Sequence, residues 1–193
     1  MKQQAIFIVV LILLSATWIS AQSADKTVES INKRYAQIGE KARLSETDDD
    51  QGEYGELFMN TLTVNSRNHQ WRAIGIYGKT YKFFYKQIEN IESRLYPDQL
   101  VFVKVERTES NRKYLDEYLY SDTGAIMLYR QTSETDGETP KERKIYFSGQ
   151  TPLRTIVDGN TSGRFSATES KNLMETWRDA SKIKELFIKS INL

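Results

Sequence analysis

The spacing of apolar residues changes twice along this chain. Between Asp25 and Ala42, the residues Val28, Ile31, Tyr35, Ile38 and Ala42 recur three or four positions apart, which places them on one stripe of a helix. The pattern then disappears in Ser45–Glu56, SETDDDQGEYGE, which reads as an acidic loop. From position 57 to 157 the period falls to two. Runs rich in Tyr, Phe, Val and Ile predict strands over Leu57–Val64, Gln70–Tyr77, Lys79–Gln87, Gln99–Thr108, Arg112–Tyr120, Ala125–Glu134, Lys141–Ser148 and Leu153–Val157. Their connections are short, as antiparallel hairpins require and βαβ crossovers do not. The longer connection Ile88–Asp98 has a short helix over Ile88–Arg94 as an alternative.

A helical period returns at the C-terminus. Ser166 and Glu169 have the spacing of a capping box ahead of a helix over 167–191. Leu173, Trp177, Ala180, Phe187 and Ile191 form its stripe, and Lys184, lying within that stripe, has to extend along it to reach water.

The N-terminus changes where the protein is expected to reside. Met1–Gln4 carries one lysine, Ala5–Leu14 is unbroken apolar sequence, and small residues follow in SATWISAQS. This is the layout of a secretory signal peptide over 1–21, cut after Ala21. Ala5–Ala21 is at the short limit for spanning a bilayer, so no stable membrane span is expected after cleavage. The expectation is an exported protein, periplasmic or secreted, with one domain over 22–193.

Composition removes several functions. There are no cysteines, hence no disulfides and no thiolate nucleophile or ligand. The 27 Lys and Arg nearly balance the 26 Asp and Glu, and 1–21 contributes only Lys2. A charge near zero gives no pull toward nucleic acid.

Four motifs invite chemistry and each has a plainer reading. Asp122-Thr123-Gly124 matches the aspartic-protease signature, but that reaction shares a proton between two carboxylates and the chain has one copy. A retroviral-type dimer would need only one, yet Tyr118-Leu119-Tyr120-Ser121 does not resemble the aliphatic strand that precedes the protease motif. Asp122 and Gly124 fit a hairpin turn instead. AIGIYGKT (Ala73–Thr80) nearly matches a phosphate-binding loop, but Ala73 replaces the first glycine and a strand follows where a helix is needed, so Gly78 is read as a hairpin turn. In the acidic loop, Gly52 falls one position early for a calcium loop that starts at Asp48. His69 is the one histidine and sits in a polar stretch, as a surface turn residue does. No catalytic residue, metal or cofactor is nominated. Asn160–Ser162 matches a glycosylation sequon, relevant only in a eukaryotic secretory pathway.

The remaining feature is tyrosine, with 11 copies. Within strands, Trp71/Tyr77, Tyr81/Phe83/Tyr85 and Tyr118/Tyr120 share faces, opposite aliphatics such as Ile74/Ile76 and Leu115/Leu119. One reading is a half-exposed aromatic surface of Trp71, Tyr77, Tyr81, Tyr85, Tyr118 and Tyr120 that binds a protein, peptide or glycan partner of the bacterial envelope. Alanine at Tyr118 and Tyr120 would then abolish capture and leave the fold intact. The other reading is cross-strand packing.

The hairpins YLYSDTGAI (Tyr118–Ile126) and IYFSGQTPL (Ile145–Leu153) are alike, and FFYKQ followed by DQLVFVKV is a looser copy. Through these, EYLYSDTGAI, KIYFSG and the early INKRYAQI (Ile31–Ile38), the chain resembles uncharacterised secreted bacterial proteins built as tyrosine-rich hairpin meanders. That resemblance implies a fold class and a location, with no activity attached.

The expected fold is α+β: an antiparallel meander of about seven or eight strands between an N-terminal and a C-terminal helix. A closed up-and-down barrel, lipocalin-like, is the alternative, although no Gly-x-Trp motif marks its first strand. The expected function is a non-catalytic exported binding module. A barrel carrying a small apolar ligand is second, and an exported hydrolase third.

Overall fold

The computed structural model describes residues 2–47, 57–67, 69–71, 75–87 and 98–191, with side chains from Ala24 onward except at 71, 75, 76 and 98. Helix α1 (Lys2–Thr47) is followed by β1 (Phe58–Val64), β2 (Gln70–Trp71), β3 (Gly75–Gln87), β4 (Asp98–Glu109), β5 (Arg112–Tyr120), β6 (Ile126–Thr135), β7 (Lys141–Ser148), β8 (Thr151–Val157) and β9 (Asn160–Ser162). Helix α2 (Ala167–Ile191) closes the chain. All pairings are antiparallel, in the order β1-β3-β4-β5-β6-β7-β8-β9, and β2 pairs with β3 beside β1. The meander between two helices is as expected. The barrel is not formed, because β1 and β9 are opposite edges and a helix occupies each face, leaving no lumen for a carried ligand.

Both helices cross the strands from the β8 side to the β3 side, on opposite faces. Along α1, Asp25 pairs with Arg154 of β8, Asn32 accepts from Tyr146 of β7 at 2.9 Å, and Glu46 reaches Lys82 and Lys104 on β3 and β4. Along α2, Tyr120 of β5 donates to the Ala180 carbonyl at 2.8 Å, and the Phe187 ring lies 5.7 Å from Phe83 and 5.3 Å from Tyr85 on β3. The capping box closes as its spacing predicts: the Ser166 amide donates to Glu169 Oε2 at 2.7 Å and the Glu169 amide to Ser166 Oγ at 3.3 Å.

Three ladders are irregular, and at equivalent places. The register shifts at Phe84/Tyr85, Leu119/Tyr120 and Tyr146/Phe147, each time leaving one extra residue on the opposing strand: Val101, Met127 and Leu153. These are equally spaced along the chain and all pack against the α1 side. A bulge adds local twist, so the likeness of the hairpins is a shared bend beneath α1.

Several expectations need correction. Gly78 is not a turn; it pairs with Thr108 in the middle of β3. A glycine inside a strand loses side-chain packing, but the long β3–β4 ladder outweighs that loss. The bend lies earlier, at Asn65, whose φ is 57° and whose side-chain amide donates to the carbonyls of His69 and Tyr77 while accepting from the His69 amide. Trp71 and Tyr77, expected on one strand, therefore belong to β2 and β3. Ser45, Glu46 and Thr47 are helical rather than part of the acidic loop; 48–56 and the alternative helix over 88–94 lie outside the described residues. The short strand β9 had no sequence signal beyond its Asp158-Gly159 turn, where both φ values are positive.

Candidate functional site

Tyrosine placement decides the first candidate. Tyr118 and Tyr120 are 7 % and 1 % exposed, beneath α2 in one core with Phe83, Tyr129, Ile183 and Phe187. Burial pushes both phenols above their ordinary range, Tyr118 further under the influence of Asp116. Neither belongs to a half-exposed surface, and alanine at either would open the core rather than only remove a contact. The sheet is packed on both faces, so the better fate for a strand tyrosine is a buried ring with its hydroxyl spent on a carbonyl or carboxylate. Tyr77, Tyr81 and Tyr85 are half-buried. Tyr81 stacks on Phe83 at 5.9 Å with Lys79 Nζ 4.7 Å above its ring. Tyr85 stacks on Phe58 at 5.7 Å and donates to Asn60 at 3.3 Å, close to the β1 edge. Trp71 pairs through its backbone with Gly75, and its side chain lies outside the description. Tyr118 and Tyr120, being buried, share no exposed surface with Tyr77, Tyr81 and Tyr85.

Asp122 has a clear role. Ser121–Ala125 is a tight hairpin loop, with Gly124 at φ 76° and its amide donating to the Ser121 carbonyl at 2.8 Å. Arg34 of α1 donates to Asp122 Oδ1 at 2.7 Å, and that bond holds the carboxyl below its usual range. On the other face, Lys184 Nζ donates to the Gly124 carbonyl at 3.2 Å. A Cβ at Gly124 would collide with the end of Lys184. The protease-like motif is therefore a corner gripped by both helices.

Adjacent carboxylates inside β5 are what sequence reasoning overlooked. Asp116 and Glu117 are both buried, and strand alternation sends them to opposite faces. On the α2 face, Asp116 Oδ1 accepts from Tyr129 at 2.8 Å and Gln131 at 2.6 Å. On the α1 face, Glu117 Oε2 accepts from Tyr35 at 2.7 Å and Arg130 at 2.8 Å. With the sheet between them they cannot share a proton, and no dyad arises. Two acidic residues side by side between Tyr114-Leu115 and Tyr118-Leu119-Tyr120 were the available signal.

Glu117 belongs to a charged row across the α1 face, in register Lys82, Lys104, Glu117, Arg130 and Lys144. Glu46 receives Lys82 at 3.1 Å and Lys104 at 2.8 Å; Lys82 also meets Glu106 at 2.7 Å. Glu142 receives Arg130 at 2.7 Å and Lys144 at 2.9 Å. Burial opposes the charge on Glu46, but the two lysines outweigh it and hold its carboxyl low; for Lys82 burial is likewise outweighed by Glu106 and Glu46, and its pKa rises. The Tyr35 phenol is pushed up by burial and by Glu117. Each member of this row has its counter-charge, which suits a clip for α1 better than a reactive centre. Among the described residues no group of three or more His, Cys, Asp or Glu gathers to hold a metal.

Two features among the described residues bear on a partner. The first is the β1 edge, where Phe58, Met59 and Val64 are 48 %, 37 % and 39 % exposed. The second is a cleft of about 370 Å³ between β7, β8 and the start of α2, with Arg143, Phe165, Glu169, Asn172 and Leu173 in its wall. Comparison with protein-family models, curated proteins and solved structures finds no match to this chain.

Proposed function

We propose that this protein is a non-catalytic, exported interaction module that receives an extended segment of an envelope protein along β1. The contrast between the sheet edges carries the reading. β9 is three polar, exposed residues, too short to template a strand. β1 is seven residues, Phe-Met-Asn-Thr-Leu-Thr-Val, without a charge or a proline. Proteins commonly protect such an edge with lysine, proline or brevity, and β1 has none of these. Strand addition would supply main-chain hydrogen bonds, while Phe58 and Val64, on the same side of the strand, would prefer apolar residues at alternate positions of the partner. The signal-type N-terminus supports export. Separation of Asp116 from Glu117 and the pairing of Asp122 with Arg34 leave a hydrolase without a nominated carboxylate pair.

A photo-crosslinking residue at Met59, compared with one at Thr161 on β9, tests this in the producing cell. The Met59 probe should yield a discrete protein adduct that disappears when Phe58 and Val64 are both changed to lysine. Equal adducts at the two edges, or none at Met59, would refute the proposal.

A further inference from the structure

We propose that the cleft beside the start of α2 binds a small molecule carrying a carboxylate on an apolar body, with Arg143 as the carboxylate's partner. The argument begins with the alternation of Lys141-Glu142-Arg143-Lys144 in β7. Glu142 and Lys144 lie on the α1 face, where Glu142 pairs with both Lys144 and Arg130. Arg143 is left on the α2 face, between Gln131 and Val157 in neighbouring strands, both uncharged.

Asp116 and Glu169, two carboxylates on that face, are already engaged. Asp116, beyond Gln131, accepts from Tyr129 and Gln131 on one oxygen and faces Arg107 at 3.7 Å with the other. Glu169 lines the cleft, but its Oε2 takes both the amide and the hydroxyl of Ser166, each at 2.7 Å, and it makes no ion pair with Arg143. A half-buried guanidinium beside apolar walls is unfavourable without a hydrogen-bonding anion, and its fork matches a carboxylate in two-point contact.

The rest of the cleft suits the other half of such a ligand. Val157 is 44 % exposed and lines the cleft together with Phe165 and Leu173. Asn172 and Thr155 add polar groups at the wall. The volume of about 370 Å³ falls within the range of small-molecule sites. Glu169, the one negative group present, opposes a carboxylate by charge, which gives the proposal a signed prediction.

Calorimetric titration of the full chain with octanoate, octanamide and N-acetyl-leucyl-leucine is the test. At least one acid should bind, octanamide should bind about tenfold more weakly or worse, and Arg143→Met should lose about tenfold while melting as the parent does. Whichever acid binds more tightly separates a free fatty-type acid from a peptide C-terminus. Glu169→Gln keeps a residue able to close the capping box and removes the charge, so it should tighten binding by about two- to fivefold. Equal binding of octanamide, full affinity in Arg143→Met, weaker binding in Glu169→Gln, or no binding by either acid would overturn the proposal. The lysine pair at Phe58 and Val64 should leave these titrations unchanged, so this outcome is independent of the β1 reading.

Discussion

Helices α1 and α2 cross one sheet in the same direction on opposite faces, yet they are fastened by different physics. Beneath α2 lie Tyr118, Tyr120, Tyr129, Phe83 and Ile145, an aromatic floor into which Leu173, Ile183 and Phe187 insert. Beneath α1 lie Phe84, Phe102, Leu119, Leu128 and Tyr146, a narrower apolar strip, and beside it the charged row from Lys82 to Lys144. The α2 contact is mainly area removed from water, with a few hydroxyls locking register. The α1 contact divides the task between area and ion pairs that are each satisfied and, apart from buried Glu117, only half-buried. Such pairs add little net free energy, yet they fix which turn of a helix meets which strand. A helix with a strong stripe is held by packing; one with a weaker stripe is positioned by charge.

The largest effect that would break this contrast is the loss of an α2 anchor. Phe187→Ala removes a ring that is 1 % exposed and touches Phe83 and Tyr85, and should lower unfolding stability by about 3–5 kcal/mol in denaturant titration. On the α1 face, Arg130→Met leaves buried Glu117 with Tyr35 alone and frees Glu142 from one partner. The expected loss is about 2–3 kcal/mol, below that of a fully buried pair because Arg130 is partly solvated. If Arg130→Met proved neutral while Phe187→Ala did not, the Glu117–Arg130–Glu142 part of the charged row would contribute nothing to holding α1.

The smallest effect is a pH dependence. Glu46 and Glu142 are depressed, so their stabilising contribution is complete above the ordinary carboxylate value near 4.5 and is lost as pH falls through their folded values. Lys82 is raised, so its contribution is present below its unfolded value near 10.5 and is lost as pH rises through the folded one. Raised phenols on the α2 face also weaken the fold above about pH 10, because only the unfolded chain can ionise them readily. The acid side is therefore the discriminating one. Denaturation midpoints between pH 3 and 7 should fall less steeply for Glu46→Gln than for the parent; an unchanged slope would remove Glu46 from the clip.

Much of the scaffold was legible in the chain. Arg112–Tyr120 and Lys141–Ser148 have the bounds expected because turn residues flank both, although their burial is continuous over Asp116–Tyr120 and Ile145–Phe147, where helices cover both faces. The capping box was readable since it is a local interaction over three residues. Gly78 misled for the converse reason: its turn propensity is local, while its actual place is set by pairing with Thr108 far along the chain. The tyrosines misled in a similar way. Alternation placed Tyr118 and Tyr120 on one face but could not say whether that face met water or a helix. Arg143 carried no signal at all, since a lone arginine between Glu142 and Lys144 looks paired until the pleat separates them.

What the sequence determined by itself was the set of elements, their antiparallel kind and the stripes on both helices, because periodicity and capping depend on neighbours a few residues away. What only the tertiary structure decided was which face each helix covers, which strands form the sheet edges and which charges pair. Those depend on contacts such as Arg34–Asp122, Tyr35–Glu117 and Tyr120–Ala180, between residues brought together from distant parts of the chain. Their free energy exists only once the sheet has formed, and no local pattern can encode it.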